Sequence, residues 1–409
     1  MLNRIWLSFF FISAIAAGYQ WLWLGNHGIF TELIQAMFNM SKVSVDIAIG
    51  LVGALSLWLG VFKIAEHNGW IEKIATWLTP LFRRLMPEIP DKHPAIGSIT
   101  MNLSANVLGL DNAATPLGIK AMQDLQSLNK DPDYASNAQI LFLVLNTSSV
   151  TLFPIFVFVY RAQQGAAIPT DVFLPILLTT SCSSLAGLLA VAAVQRINLL
   201  NHIVLLYATM AFAVLGGLLL YFISLPAVLV GEQSALLANL LIFSFIVGVL
   251  FSAYRQKLDA YSLFIEGAKE GFKQAVFLIP YLLAMLVAIG VLRASGSIDL
   301  LVAGVAKLFS AFGMSTTFVD ALPTAIMKPL SGSGARAMMV ETMQVHGADS
   351  FAGRLSAIFQ GSTETTFYVL AVYFGAVGIK HSRHAIPCAL IADGTAIVAG
   401  TSVAYLFFG

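Results

Sequence analysis

Two stretches of this chain concentrate groups that can hold a polar solute or an ion inside apolar surroundings. "LNTSSVT" carries Asn146, Thr147, Ser148, Ser149 and Thr151, and "QGSTETT" carries Gln360, Ser362, Thr363, Glu364, Thr365 and Thr366. A lone hydroxyl in a membrane helix normally bonds back to the preceding turn. Five or six polar groups together read as the lining of a cavity, with helix–helix packing as the alternative. Two carboxylates accompany them, Glu364 and, within "LIADGTAIVAG", Asp393. A charge at the centre of a membrane helix costs about 2.5–3.5 kcal/mol on insertion. Each is therefore a candidate for carrying a proton or coordinating Na+, unless it is a structural carboxylate paired with Lys328 or Arg336. Two interrupted stretches add backbone donors: "NVLGLDNAATPLG", with Asn106, Asp111, Asn112 and Thr115, and "PLSGSGAR", with Pro329, Ser331 and Ser333. Thr115-Pro116 reads as a hydroxyl cap and a first-turn proline opening a helix, and its counterpart should start near Gly334. Free N–H groups and a positive dipole end at such starts suit hydroxyl, carbonyl or carboxylate groups of a small polar solute.

The elements that must position these groups are membrane helices. The 409 residues are 58% hydrophobic and 11% charged, with a mean hydropathy of +0.83, where a water-soluble domain carries roughly 25% charged residues. This composition predicts an all-α polytopic membrane protein. Nine apolar runs predict full spans: 5–24, 44–63, 136–160, 170–194, 201–224, 234–253, 274–292, 355–375 and 384–407. The first run is too long for the apolar core of a signal peptide. Amphipathic stretches at 28–42, 69–86, 258–273 and 297–314 read as interfacial helices.

Other chemistries fit less well. A net charge of +1 with no basic run offers nothing to nucleic acid. Cys182 and Cys388 lie in apolar runs as small hydrophobes. His381 and His384 of "KHSRH" sit beside Lys380 and Arg383, which would repel a metal ion, so they read as a solvated loop. "SGSGA" lacks the glycine that a G-x-S-x-G nucleophile elbow needs, and H-E-x-x-H is absent. No catalytic residue, metal or cofactor is expected, and an enzyme is the least favoured reading.

An internal repeat organises the chain. "NVLGLDNAATPLGIKAM" corresponds to "IMKPLSGSGARAMMVETM", and "NTSSVTLFPIFVF" to "GSTETTFYVLAVY". Each half runs amphipathic helix, span, amphipathic helix, interrupted segment, polar-centred span and final span. If 94–130 and 317–350 are re-entrant hairpins, 15 of the 22 Lys and Arg residues fall on the side of the N-terminus. The positive-inside rule then makes that side cytoplasmic and the two repeats inverted. Inverted repeats with broken helices point to a secondary transporter with its site at the bilayer midplane. Unwound backbone at that depth must be buried in protein or line a water-filled cavity.

The pair "NLSANVLGLDNAATPLGIKAMQ" and "FQGSTETTFYVLAVYFGAVGIKHSRHAIPCALIADGTAIV" resembles spore maturation proteins A and B fused in one chain. Those are grouped with the nucleoside recognition, or gate, family, which is remotely similar to concentrative nucleoside transporters. The resemblance implies an A-like gate repeat at 28–196 and a B-like one at 258–409, with a first transmembrane helix at 1–27 and linking spans at 197–257. It also implies the bacterial inner membrane and, by name alone, a nucleoside-like solute. The function expected is alternating-access transport of a small polar metabolite coupled to H+ or Na+. The alternative is a non-transporting scaffold or accessory factor in envelope or spore maturation. Partners would be the solute, the ion, the lipid bilayer and, through small residues such as Gly375 and Gly378, a second copy of the chain.

Overall fold

The computed structural model describes residues 2–90, 92–109, 111–313 and 315–409, with the side chains of residues 2, 111–113, 227 and 228 outside the described set. In order, the helices are α1 (Leu2–Trp23), α2 (Ile29–His67), α3 (Trp70–Leu85), α4 (Ala95–Val107), α5 (Asp111–Gln126), α6 (Asn137–Thr147), α7 (Ile155–Gln163), α8 (Phe173–Gln195) and α9 (His202–Ile223). There follow α10 (Ala227–Arg255), α11 (Ala260–Ala294), α12 (Ser297–Ala311), α13 (Leu322–Leu330), α14 (Gly332–His346), α15 (Phe351–Ser362), α16 (Thr366–Ala376) and α17 (Ala385–Phe408). The described residues contain no β-strand. Seven helices, α1, α2, α8, α9, α10, α11 and α17, are long and apolar enough to cross a bilayer. The protein is an all-α polytopic membrane protein.

The two remaining expected spans are each broken. Residues 136–160 resolve into α6 and α7 with a non-helical stretch at 148–154, and 355–375 into α15 and α16 with one at 363–365. Ser and Thr side chains there offer the backbone bonds that compete with the helix, and Pro154 supplies no N–H. In the opposite direction, the amphipathic stretches 28–42 and 258–273 continue without interruption into their spans, giving α2 39 residues and α11 35. No proline lies at either junction to stop them. The counterparts at 69–86 and 297–314 stay separate as α3 and α12, each entered through a left-handed glycine, Gly69 (φ 72°) and Gly296 (φ 71°).

The repeat is thus visible element by element: α2 matches α11, α3 matches α12, the α4–α5 hairpin matches α13–α14, the broken pair α6/α7 matches α15/α16, and α8 matches α17. Two of these equivalent pairs also meet. α8 packs extensively along α17. α2 and α11 cross so closely that a Cβ on Gly271 would lie 2.5 Å from the Leu55 carbonyl oxygen.

The chain forms two compact units, and each draws on both halves of the sequence. One comprises Met1–Gly60, Phe156–Pro169 and Ile265–Gln360. In it α1 is fixed to α11 by Trp6 Nε1 donating to Ala284 O (2.9 Å) and Gln20 Nε2 to Ser295 O (2.9 Å). Arg293 pairs with Asp299 (2.7 Å) and with buried Glu341 (Nη2 to Oε2, 3.0 Å).

The second unit comprises Val61–Ile155, Thr170–Phe264 and Gly361–Gly409. Its centre is α6, whose run from Ile140 to Val144 is fully buried, the behaviour of a helix apolar on all sides. α4, α5, α8, α16 and α17 all pack against it.

Candidate functional site

The second unit brings most of the anticipated polar residues together where its helices break. α4 ends at Val107, the chain turns, and α5 resumes at Asp111. The turn is tied to the α6–α7 break by Leu152 N donating to Val107 O (2.8 Å). α5 therefore does not start at Thr115-Pro116 as the sequence pattern suggested. The turn closes within a few residues, so Thr115 is half-buried inside α5 and Pro116 costs that helix one backbone bond. The side chains of Asp111 and Asn112 lie outside the described residues.

Asn146, in the last turn of α6, is the hub. Its Nδ2 donates to Phe142 O (2.9 Å), and its Oδ1 accepts from Asn106 Nδ2 (2.8 Å) on α4 and from the Tyr373 hydroxyl (3.4 Å) on α16. Asn102, one turn before Asn106, donates to Ala114 O (2.7 Å) and to Tyr373 Oη (3.3 Å), while its own Oδ1 is buried without a hydrogen-bond partner among the described residues. A buried, unmatched amide oxygen is costly in a closed protein. A solute carrying an N–H or O–H would satisfy it.

The two breaks touch. Glu364 N donates to Thr147 O (2.8 Å), so the α15–α16 interruption satisfies a carbonyl that the end of α6 leaves free. α8 satisfies the others: Thr180 Oγ1 donates to Ser149 O (2.6 Å) and Ser184 Oγ to Ser148 O. Ser148 itself turns its hydroxyl back to Val144 O (2.8 Å), the ordinary structural use, and Ser149 is buried beside it. Ser362, Thr363 and Thr365 are buried around the second break, with Thr365 at the N-cap position of α16. Glu364 is half-buried there, within electrostatic reach of the Tyr373 phenol. Asp393 is buried on α17 and accepts from Thr366 Oγ1 (2.7 Å).

The other unit carries the second hairpin. Ser331 caps α14 by accepting from Gly334 N (3.0 Å), and its Oγ lies 3.3 Å from Ser333 Oγ. The helix opens at Gly332, two residues ahead of the expected Gly334, because Ser331 serves as the cap. Buried Thr324 on α13 has no partner for its hydroxyl among the described residues.

A model of the family described as nucleoside recognition, Gate, matches residues 48–163 and 275–380, more than half of the chain. The chain belongs to the Gate family. Spore maturation protein A of Bacillus subtilis (strain 168) is 38% identical over 189 residues, 46% of this chain and 93% of that protein. Spore maturation protein B of the same organism is 44% identical over 164 residues, 40% of this chain and 90% of that protein. No solved structure matches.

Each Gate segment runs from within the long helix through the short helix and the hairpin to the end of the broken pair. The Asn146 hub and both breaks lie within these segments; Asp393 lies beyond them. Sequence reasoning missed Tyr373, Asn102 and Gly118. Asn102 was readable in principle, since its i, i+4 spacing from Asn106 puts both on one face of α4. Tyr373 lies in the apolar run "TFYVLAVYFGA", where nothing in the spacing sets it apart. Gly118 on α5 is where that phenol seats, since a Cβ there would overlap the ring within 2.3 Å of Cζ. Tyr373 is only 5% exposed and cannot step aside freely. We expect Gly118→Ala to displace the phenol, break its bonds to Asn102 and Asn146 and destabilise the unit by about 1–3 kcal/mol. Thermal unfolding in detergent would show it; an unchanged transition would mean that the phenol is not held there.

Proposed function

We propose that this protein is a secondary transporter that moves a small polar metabolite across the bacterial inner membrane by alternating access, coupled to H+ or Na+. The observation that carries the reading is the Asn102–Asn106–Asn146–Tyr373 cluster set against two helix breaks, with Glu364 and Asp393 beside it. Amide and phenol groups at a chain break can exchange hydrogen bonds with a solute, whereas a static scaffold has no use for them at such depth. The family's description favours a nucleoside-like solute, whose ring nitrogens and ribose hydroxyls suit both faces of an asparagine amide. The N-terminus would be cytoplasmic, and the solute is carried, not converted.

The test is a thermal-shift screen of the purified protein in detergent against nucleosides, nucleobases, amino acids and short peptides, with and without Na+ and at two pH values. A ligand at a hundred times its dissociation constant stabilises by about 2.7 kcal/mol. We expect a nucleoside to stabilise the wild type and to lose that effect in Asn146→Ala. A panel without any stabilising solute, or a hit untouched by Asn146→Ala, would refute this site.

A further inference from the structure

Away from the Asn146 hub, the second unit holds a cavity of about 370 Å³ between the end of α3, the start of α6 and the α8–α9 turn. At a liquid volume of about 30 Å³ per water this is room for on the order of a dozen waters, more than a bare inorganic anion fills. Arg83, Arg84 and Arg196 line it, with Glu88 the opposing carboxylate. Glu88 is already engaged, accepting from Asn137 Nδ2 (3.0 Å). The side chains of Arg84 and Arg196 make no ion pair or hydrogen bond among the described residues.

The amides around them present mainly donors. Asn198 Oδ1 accepts from Leu200 N (3.0 Å) and Asn201 Oδ1 from Ile203 N (3.0 Å), so each offers its NH2 group. Gln195 is held by donating to Asn137 O (3.0 Å) and by its contact with His384 Nε2 (2.9 Å). One acceptor stands out: Asn137 Oδ1 is buried with no partner among the described residues. Forked guanidinium groups with amide donors match the oxygens of a phosphate, and the orphaned Asn137 oxygen matches a hydroxyl beside it.

We propose that this cavity binds a phosphate ester with a neighbouring hydroxyl, of which the headgroup of an anionic glycerophospholipid is the source the surroundings favour. Trp77 and Tyr207 meet at a tilt of 53° with ring centroids 5.1 Å apart, on α3 and α9 respectively. Each sits six residues from a cavity residue, Arg83 or Asn201, roughly 9 Å of helix rise. Such aromatic pairs mark the headgroup level of a membrane. Leu200, on the α8–α9 turn between Asn198 and Asn201, is 80% exposed and gives an acyl chain an apolar edge.

The test titrates the full-length protein in detergent, followed by tryptophan fluorescence, with dioleoyl phosphatidylglycerol, dioleoyl phosphatidylcholine, glycerol 3-phosphate and inorganic phosphate as separate probes. Phosphatidylglycerol should bind the wild type, and the double variant Arg84→Gln/Arg196→Gln should weaken it by about tenfold or more, as loss of forked charge-assisted bonds implies. Glycerol 3-phosphate binding with the same variant dependence, and no response to the lipid, would keep the phosphate ester and make its source soluble. Arg84→Lys/Arg196→Lys preserves the charges that orient the spans and carries the test if the Gln pair does not fold; it too should bind more weakly. Equal affinity for phosphatidylcholine and phosphatidylglycerol, wild-type affinity in a folded variant, or no response to any probe would overturn the site.

Discussion

Arg161→Leu is expected to destabilise the protein by about 3–5 kcal/mol, the cost of breaking a buried charge network from one side. The guanidinium is fully buried and gathers a loop and a turn around itself. Nε donates to Pro169 O (3.1 Å), Nη2 to Ile168 O (3.4 Å) and Nη1 to Ala348 O (2.7 Å). Nη2 also meets Asp349 Oδ1 (3.1 Å), and Asp349 Oδ2 in turn accepts from Ala167 N (2.8 Å). A leucine fills the volume but leaves three carbonyls without their donor and Asp349 without its buried guanidinium partner. Arg161→Lys should recover little, because one ammonium cannot span that fan of acceptors. The comparison is Lys380→Ala, which removes an exposed pair with Asp133 (3.1 Å) and should cost less than about 1 kcal/mol. Thermal unfolding of the three variants in one detergent decides the matter. An Arg161→Leu protein no less stable than Lys380→Ala would show that the cluster does not hold the unit together.

Glu364→Gln should leave folding intact and remove coupling. The carboxylate is half-buried at a chain break beside the Asn146 hub, and no hydrogen bond or ion pair to its side chain exists among the described residues. It therefore stabilises little, yet it can take up a proton or a cation with small rearrangement. Once a solute is known, uptake into proteoliposomes driven by a pH or Na+ gradient should fall by about a hundredfold, on the order of 2.7 kcal/mol in the limiting barrier. Solute exchange without a gradient should persist. Asp393→Asn should behave differently, since an asparagine oxygen can still accept from Thr366. Gradient-driven uptake in Glu364→Gln at the wild-type rate, with unaltered ion dependence, would remove Glu364 from coupling.

Hydrophobic length alone located the long helices, and the Gly and Pro residues at 108–118 and 329–334 marked both hairpins. The same cues failed at junctions. Nothing in composition separates an amphipathic helix that lies on the membrane from one that runs straight into a span, and α2 and α11 do the latter. Polar clustering fell on both breaks but read as the lining of unbroken spans, and some of those hydroxyls serve the helix end itself, as Ser148 does by bonding back to Val144 O. The hub depended instead on Tyr373 and Asn102, whose partners are 227 and 271 residues away in sequence. Positive charges carried a similar ambiguity. Arg161, Arg293 and Arg354 are among the seven Lys and Arg residues that the charge count leaves opposite the N-terminus, but each is bound to a carboxylate. Counting charge gives a side of the membrane; only packing gives a partner.

The bond from Glu364 N to Thr147 O is made entirely of main chain. Any residue but proline supplies the same amide, and every residue supplies the same carbonyl. Substitution on either side therefore leaves this seam standing, and the halves of the chain are free to diverge around it. Few identities survive between "NTSSVT" and "GSTETT", yet the breaks they form still meet. Contact between the matching breaks is kept here in the part of the polypeptide that substitution scarcely touches, while the side chains around it can change independently in each half.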